Sequence, residues 1–428
     1  ACQFGHRDVA ELLLDKGANI NQEMNDGATP LVIACGRGHR DVAELLLNRG
    51  ADINQAMNDG TTPLMIACGR GYRDVAALLL DRLALINQAR DSGVNALYIA
   101  CQFGHRDVAE LLLDKGADIN QAKNNGATPL FIACQLGHRE VAELLLDKGA
   151  DINQARRDGG TPLMIACMNR HRALVELFLD RGANINQAKN DGVTPLYIAS
   201  QNGYIDVVGL LLDRGALINQ ATDNGVTPLY IASQNGHRDV AKSLLDKGAD
   251  INQARRDGGT PLMIACMNRH RALVELFLDR GANINQAKND GVTPLFIACQ
   301  FGHRDVAELL LDSGALVNQV HSCGLTPLFT ACQFGHSDVA ELLLDKGAQI
   351  NQACNDGVTS LLIACYQGYR DVVELLLDRG ANINQAQDDG ATPLFIACQN
   401  GDSKVIELLL ARGALINQAR HNGATPLC

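Results

Sequence analysis

Cysteine and histidine are the residues whose types and spacing could do chemistry in this chain. Eleven of its 14 Cys share one register: Cys2, Cys35, Cys68, Cys101, Cys134, Cys167, Cys266, Cys299, Cys332, Cys365 and Cys398. Most rungs are one period apart, the step from Cys2 to Cys35, and Ser200 and Ser233 fill the two rungs between Cys167 and Cys266. A His stands four positions after the Cys in many places, as His39 follows Cys35, and nine such histidines run from His6 to His336. A thiolate beside an imidazole is a nucleophile with its base, and Cys with His is also a zinc-ligand set.

Both readings meet physical obstacles. The Cys closes an apolar stretch, Leu31 to Cys35, whereas the His opens the next segment. Equivalent atoms in stacked helical units sit roughly 8–10 Å apart, too far to share a ~2 Å zinc shell and beyond the ~7 Å Cα limit of a disulfide. Tyr72, Tyr204, Tyr369 and Asp402 also stand in the histidine's place, which a ligand role would not allow. The cysteines therefore read as small core filler with free thiols, which implies a reducing compartment and a cytoplasmic protein. No G-x-S-x-G, Walker A, H-E-x-x-H or dinucleotide glycine motif occurs. The expectation is a non-enzyme with no catalytic residue, metal or cofactor.

The elements behind this register come from one repeating unit. Asn25 to Met57 is the reference, and further units start at Asn58, Asp91, Asn124, Arg157, Asn190, Asp223, Arg256, Asn289, Ser322, Asn355 and Asp388. Twelve whole units fill residues 25–420, with parts of two more in 1–24 and 421–428, and the expectation is one continuous array. Each unit reads as turn, helix, turn, helix, hairpin. Asp26-Gly27 supplies turn chemistry. Thr29 is placed to cap a helix whose first turn holds Pro30, and Gly38 ends it. The second helix, His39 to Arg49, puts Val42, Leu45 and Leu46 on one face and Arg40, Asp41 and Glu44 toward water. Gly50 closes it, and Ile53-Asn54-Gln55 leads to the next turn. One unit cannot bury both apolar faces, whereas stacked units can.

The T-P-L, the small pair Ala34-Cys35, G-H, V-A-E-L-L-L and G-A-D-I-N recur in register along essentially the whole chain. In these sub-motifs the unit resembles the ankyrin repeat. The resemblance implies an all-α solenoid of stacked helix-turn-helix-hairpin units in a curved superhelical array. One departure is consistent: the family's T-P-L-H histidine is replaced by Val32, Met65, Tyr98, Phe131, Met164, Tyr197 and similar apolar residues, so its hydrogen bonds must be absent or replaced. The resemblance also implies a scaffold that binds proteins on its concave face through hairpin tips and first helices. Those positions include Met57, Asn58, Asp59, Thr61, Gly69 and Arg70. After the Cys, Phe103, Phe301 and Phe334, with Leu136, would put exposed apolar groups on this face or pack in part against a neighbouring unit.

Three irregularities stand out. Leu83 occupies the Gly50 position, where a left-handed Leu costs roughly 1–2 kcal/mol, and Asn95-Ala96 replaces Thr-Pro, so a weak point or altered stacking is expected near residues 82–98. Ser360 replaces another unit's Pro. Leu145 to Leu196 is identical to Leu244 to Leu295, a shift of 99, which implies internal duplication. In the two copies Arg170 and Arg269 stand in the Gly38 position. Arg156, Arg157, Arg170 and Arg172, and their copies Arg255, Arg256, Arg269 and Arg271, read either as solvated surface or as paired contacts to anions or an acidic partner, roughly 30 Å apart at helix-packing distances.

The formal charge of −11 argues against nucleic acid as the main partner, and no apolar run approaches a membrane span. The chain starts at Ala1 inside a first helix, so its natural N-terminus is expected to be missing, and it is one residue short of thirteen periods. Two functions remain: a scaffold for another protein, or copies of the chain stacked head-to-tail into filaments. The tips hardly vary between units, which favours a periodic partner or the chain itself over one irregular target.

Overall fold

The computed structural model describes residues 1–428 and contains twenty-five helices of 7 to 9 residues and no strand. The chain divides into two units, Ala1–Ala199 with Tyr204–Leu217, and Ser200–Gly203 with Ile218–Cys428. Each is a stack of the same two-helix repeat.

Local chemistry sets the helix ends. In Pro30–Arg37, Thr29 Oγ1 accepts a hydrogen bond from the Val32 N–H at 3.3 Å, and Pro30 stands at the first turn where no N–H is needed. Asn95 does the same work for Ala96–Phe103, accepting from the Tyr98 N–H at 2.8 Å. The loss of Thr-Pro there leaves the helix capped. Thr359 still caps Ser360–Gln367. Gly38 turns left-handed at φ 78° to end the first helix. After the second helix, Arg40–Asn48, Gly50 does so at φ 89°, and the Ala51 N–H returns to the Leu46 carbonyl at 3.0 Å.

Three side chains take the left-handed place of a glycine, as their register predicts: Leu83 (φ 66°), Arg170 (φ 56°) and Arg269 (φ 55°). Leu83 is 83% exposed and gains no burial for its strain. Bonds across it are nevertheless intact, with the Leu85 N–H on Asn54 Oδ1 at 2.9 Å and Arg82 on Asn48 Oδ1 at 2.8 Å.

In each unit the core lies between consecutive repeats. Leu31, Leu64, Leu97, Leu130 and Leu163 from first helices, and Val42, Val75, Val108 and Val141 from second helices, are buried in the first unit. Phe277, Leu295, Leu328 and Leu343 are buried in the second. Burial of each such side chain stabilises by roughly 1.5–3 kcal/mol.

The hairpin is reduced to a tight turn. The Met57 N–H donates to the Thr61 carbonyl and the Gly60 N–H to the Met57 carbonyl, both at 2.9 Å. One isolated bridge, Ala89 with Asn95, is all the pairing that forms. The arms are too short for a ladder, and the outward groups of each tip bond the neighbouring tip instead: the Asn58 N–H donates to the Asp26 carbonyl at 3.1 Å.

Three further ladders join repeats. The Asn of I-N-Q accepts the backbone N–H found 31 residues later, as Asn120 Oδ1 from Asp151 at 3.1 Å in the first unit and Asn252 Oδ1 from Asn283 at 2.8 Å in the second. The basic residue ending a second helix pairs with the Asp that ends the second helix before it, as Lys148 with Asp114 at 2.7 Å and Arg280 with Asp246 at 2.7 Å. The histidine ring donates to the carbonyl 36 residues earlier, as His138 Nε2 to Gln102 at 3.0 Å and His303 Nε2 to Met267 at 3.0 Å. These histidines start the second helices but make no side-chain capping bond. Most of these rings, His138 among them, also lie against the left-handed Gly of the preceding repeat, as His138 does against Gly104.

Candidate functional site

The Cys–His register is structural. Cys35 is buried, and burial pushes its thiol up to about 12, far from the thiolate a nucleophile needs. His39 faces the Gln3 carbonyl at 3.2 Å. Ser233, on a Cys rung, donates to the Leu229 carbonyl at 2.6 Å inside its own helix.

The tips are equally committed. Asn58 Nδ2 donates to the Asn25 carbonyl at 3.1 Å, and Asn124, Asn190 and Asn289 make the same bond to the tip before their own. Asp59 Oδ1 accepts from the Thr61 hydroxyl at 2.5 Å and from its N–H at 2.9 Å, and the Thr61 hydroxyl first, then the Thr61 N–H and the Arg90 guanidinium at 3.5 Å, hold this carboxyl below its ordinary value. Thr61 is itself buried. The near-identity of the tips thus has a cause within each unit, because each tip is the socket of the next.

In five repeats stacking takes the place of the missing T-P-L-H histidine. A side chain from the next tip lies over the ring that stands in its place: Lys123 over Tyr98 at 5.3 Å, Arg156 over Phe131 at 5.1 Å, Arg255 over Tyr230 at 5.4 Å and Arg420 over Phe395 at 5.0 Å. His321 stacks on Phe296 at 5.7 Å. In four consecutive repeats of the first unit the cations form a column, Arg90, Lys123, Arg156 and Lys189, whereas Met24 and Met57 hold this position in the repeats before them. Expectation from the sequence stopped at the arginines of the duplicated segment, although the period of the lysines was visible beside them.

The arginines separate by environment. Arg156 reaches Asp158 at 3.3 Å and Arg255 reaches Asp257 at 3.6 Å while donating to the Tyr230 hydroxyl at 3.2 Å. Arg170 pairs with Asp206 at 3.2 Å and lies over Tyr204 at 5.4 Å, and Arg269 pairs with Asp305 at 3.0 Å. Arg271 bonds Glu275 at 2.9 Å and the Asp305 carbonyl at 3.1 Å. Arg157, Arg172 and Arg256 are exposed at the surface. The two copies fall in different units, so each is a site within its own stack.

At the C-terminal ends of the first helices, apolar side chains face solvent. Phe103 (55%), Leu136 (46%) and Met168 (45%) mark three consecutive repeats of the first unit, and Phe301 (45%), Phe334 (45%) and Tyr366 (57%) three of the second. Phe103 and Phe301 stack on His105 and His303 in the adjoining turn, at 6.3 and 6.0 Å, so one ring face of each is used internally. Arg70 is exposed and lines one groove with Arg90, Met65, Ile99 and Phe103. Tips and first-helix ends therefore share a face. No helix is long and apolar enough to cross a membrane.

Family models described as ankyrin repeats in three copies match residues 1–90, 82–156, 153–222, 189–255, 253–321 and 313–387, and one described as an ankyrin repeat matches 389–421. Among solved structures, the crystal structure of the human ASB11 ankyrin repeat domain is similar at 31% identity and a TM-score of 0.48, covering 52% of this chain and 99% of that one. No curated protein matches. With repeat models spanning nearly its whole length, the chain belongs to the ankyrin repeat family.

Proposed function

We propose that this chain is a protein-interaction scaffold, non-enzymatic, whose partner docks on the face formed by repeat tips and first helices. Ankyrin repeats generally mediate protein–protein interaction, and nearly every tip and turn side chain here is engaged in holding repeats together. The observation that carries the proposal is the exposed row Phe103, Leu136 and Met168, with Phe301, Phe334 and Tyr366 in the second unit. Aromatic and large apolar groups held in water at successive repeats are interface anchors. Arg70, Arg157 and Arg256 supply the polar rim. The uniform tips also suited end-to-end stacking into filaments, and the tip-to-tip bonds account for that uniformity without a second copy.

The test is capture from an extract of the source cell by the chain and by a variant carrying Phe103→Ser, Leu136→Ser and Met168→Ser, with light scattering of both. The proposal expects a monodisperse chain and partners lost in the variant. Unchanged capture by the variant, or long particles in place of monomers, contradicts it.

A further inference from the structure

We propose that three consecutive tips of the first unit form a binding row for an acidic, partly apolar protein segment, with Lys123, Arg156, Arg157 and Lys189 receiving its carboxylates. This rests on the scaffold reading above and names the chemistry of the partner.

Where the preceding tip carries an Asp, that Asp neutralises the column cation: Arg90 by Asp59 at 3.5 Å, Lys189 by Asp158 at 3.7 Å, and in the second unit Lys288 by Asp257 at 3.3 Å. Lys123 and Arg156 lack this partner, because Ser92 and Asn125 stand where their Asp would be. Arg156 falls back on Asp158 at 3.3 Å, the carboxylate that Lys189 also uses. Lys123 has only the Tyr98 ring, and Arg157 is exposed without an ion pair. Asp191, the other carboxylate on these tips, caps its own turn by accepting the Val193 N–H at 3.1 Å. Four cations thus face two carboxylates, Asp158 and Asp191, within a chain of formal charge −11.

The row is also ordered in advance. Lys123 and Arg156 are held over Tyr98 and Phe131, so little rotamer freedom remains to be lost on binding. Arg156 Nε is buried with no acceptor. Arg156 and Lys189 line the same groove as Met164 and Met168, which places an apolar floor beside the charge. A segment alternating carboxylates with apolar side chains satisfies both. A nucleic acid strand does not, since Asp158 and Asp191 lie within the row and the rest of the chain repels phosphate. The duplication supplies an internal comparison: the second unit keeps Arg255, Arg256, Asp257 and Lys288 but has Thr222 in the place of Lys123.

The test is fluorescence anisotropy of the full chain with a labelled peptide alternating Glu and Leu, a Lys–Leu counterpart and a single-stranded oligonucleotide. The acidic peptide is expected to bind best and to weaken with salt. Lys123→Gln with Arg157→Gln is expected to lower its affinity by about two- to fivefold per cation, and Thr222→Lys to raise it. Equal or tighter binding of the Lys–Leu peptide or the oligonucleotide, or unchanged affinity in the double variant, overturns the acidic row. If that happens while the Phe103, Leu136 and Met168 variant still loses its captured partners, the scaffold reading stands and only the acidic partner falls.

Discussion

Two glycines of one repeat, Gly104 and Gly116, separate the backbone from the packing contribution to repeat stacking. Both are left-handed, at φ 75° and 90°. A Cβ added at Gly116 meets nothing within 4 Å, whereas one at Gly104 falls 2.7 Å from Nδ1 and 2.9 Å from Cε1 of His138 in the next repeat. Gly→Ala costs roughly 1–2 kcal/mol for the left-handed backbone at either site, partly offset by a stiffer unfolded chain. At Gly104 the ring must also move, which breaks the His138 bond to the Gln102 carbonyl at 3.0 Å, about 1 kcal/mol, and disturbs its packing by a similar amount. The expected losses are therefore about 1 kcal/mol for Gly116→Ala and about 3 kcal/mol for Gly104→Ala. On a His138→Ala background the excess at Gly104 should vanish, giving a coupling of about 2 kcal/mol. Long arrays do not unfold in two states, so the assay is native-state amide exchange over Ala96–Phe103, read as local opening free energies. Equal losses at the two glycines, or an excess that survives His138→Ala, would refute the claim that the G-H pair is an inter-repeat joint.

Other outcomes follow from the same geometry. Leu83→Gly should stabilise the first unit by about 0.5–1 kcal/mol, since strain is relieved and an 83% exposed side chain loses no burial; a lower urea midpoint would contradict this. Asn120→Ala removes the acceptor of the Asp151 N–H at 3.1 Å and should cost about 1 kcal/mol, seen as faster exchange of that amide. A thiol reagent should label exposed Cys323 and Cys428 quickly and leave the nine buried cysteines, from Cys35 to Cys365, silent until unfolding. Burial raises Cys35 from 9.0 to about 12, so above pH 9 the unfolded thiol gives up its proton while the native one keeps it. Stability is fully present below that pH and falls as pH rises, by about 1.4 kcal/mol per unit for this thiol; Cys35→Ala should flatten its share of the alkaline slope.

Sequence reading reached furthest where cause and effect are close together in the chain. Thr29 and Pro30 act within one turn, and Leu83, Arg170 and Arg269 betray their left-handed backbone by standing in a glycine's register. It fell short where partners are a repeat apart. His39 looks like a helix-start residue until the carbonyl 36 residues earlier is seen beside it, and Asn54 looks like a link to a turn until the Leu85 N–H is found on its Oδ1. The near-uniform tips read as a sign of a repetitive partner, yet Asn recurs at the Asn58 position because it bonds the tip before it. The aromatic residues in place of the T-P-L-H histidine gave no hint by themselves; the role of Tyr98 and Phe131 appears only with the cation of the next tip on the same ring.

The central claim, that the tip and first-helix face is the docking face, is tested most directly by site-specific photo-cross-linking in extract of the source cell. One photoreactive residue replaces Phe103, on that face, and another replaces Asp107, exposed on the second helix of the same repeat. A protein adduct is predicted from position 103 and none from 107. Adducts from 107 alone, or equal adducts from both, would contradict that claim.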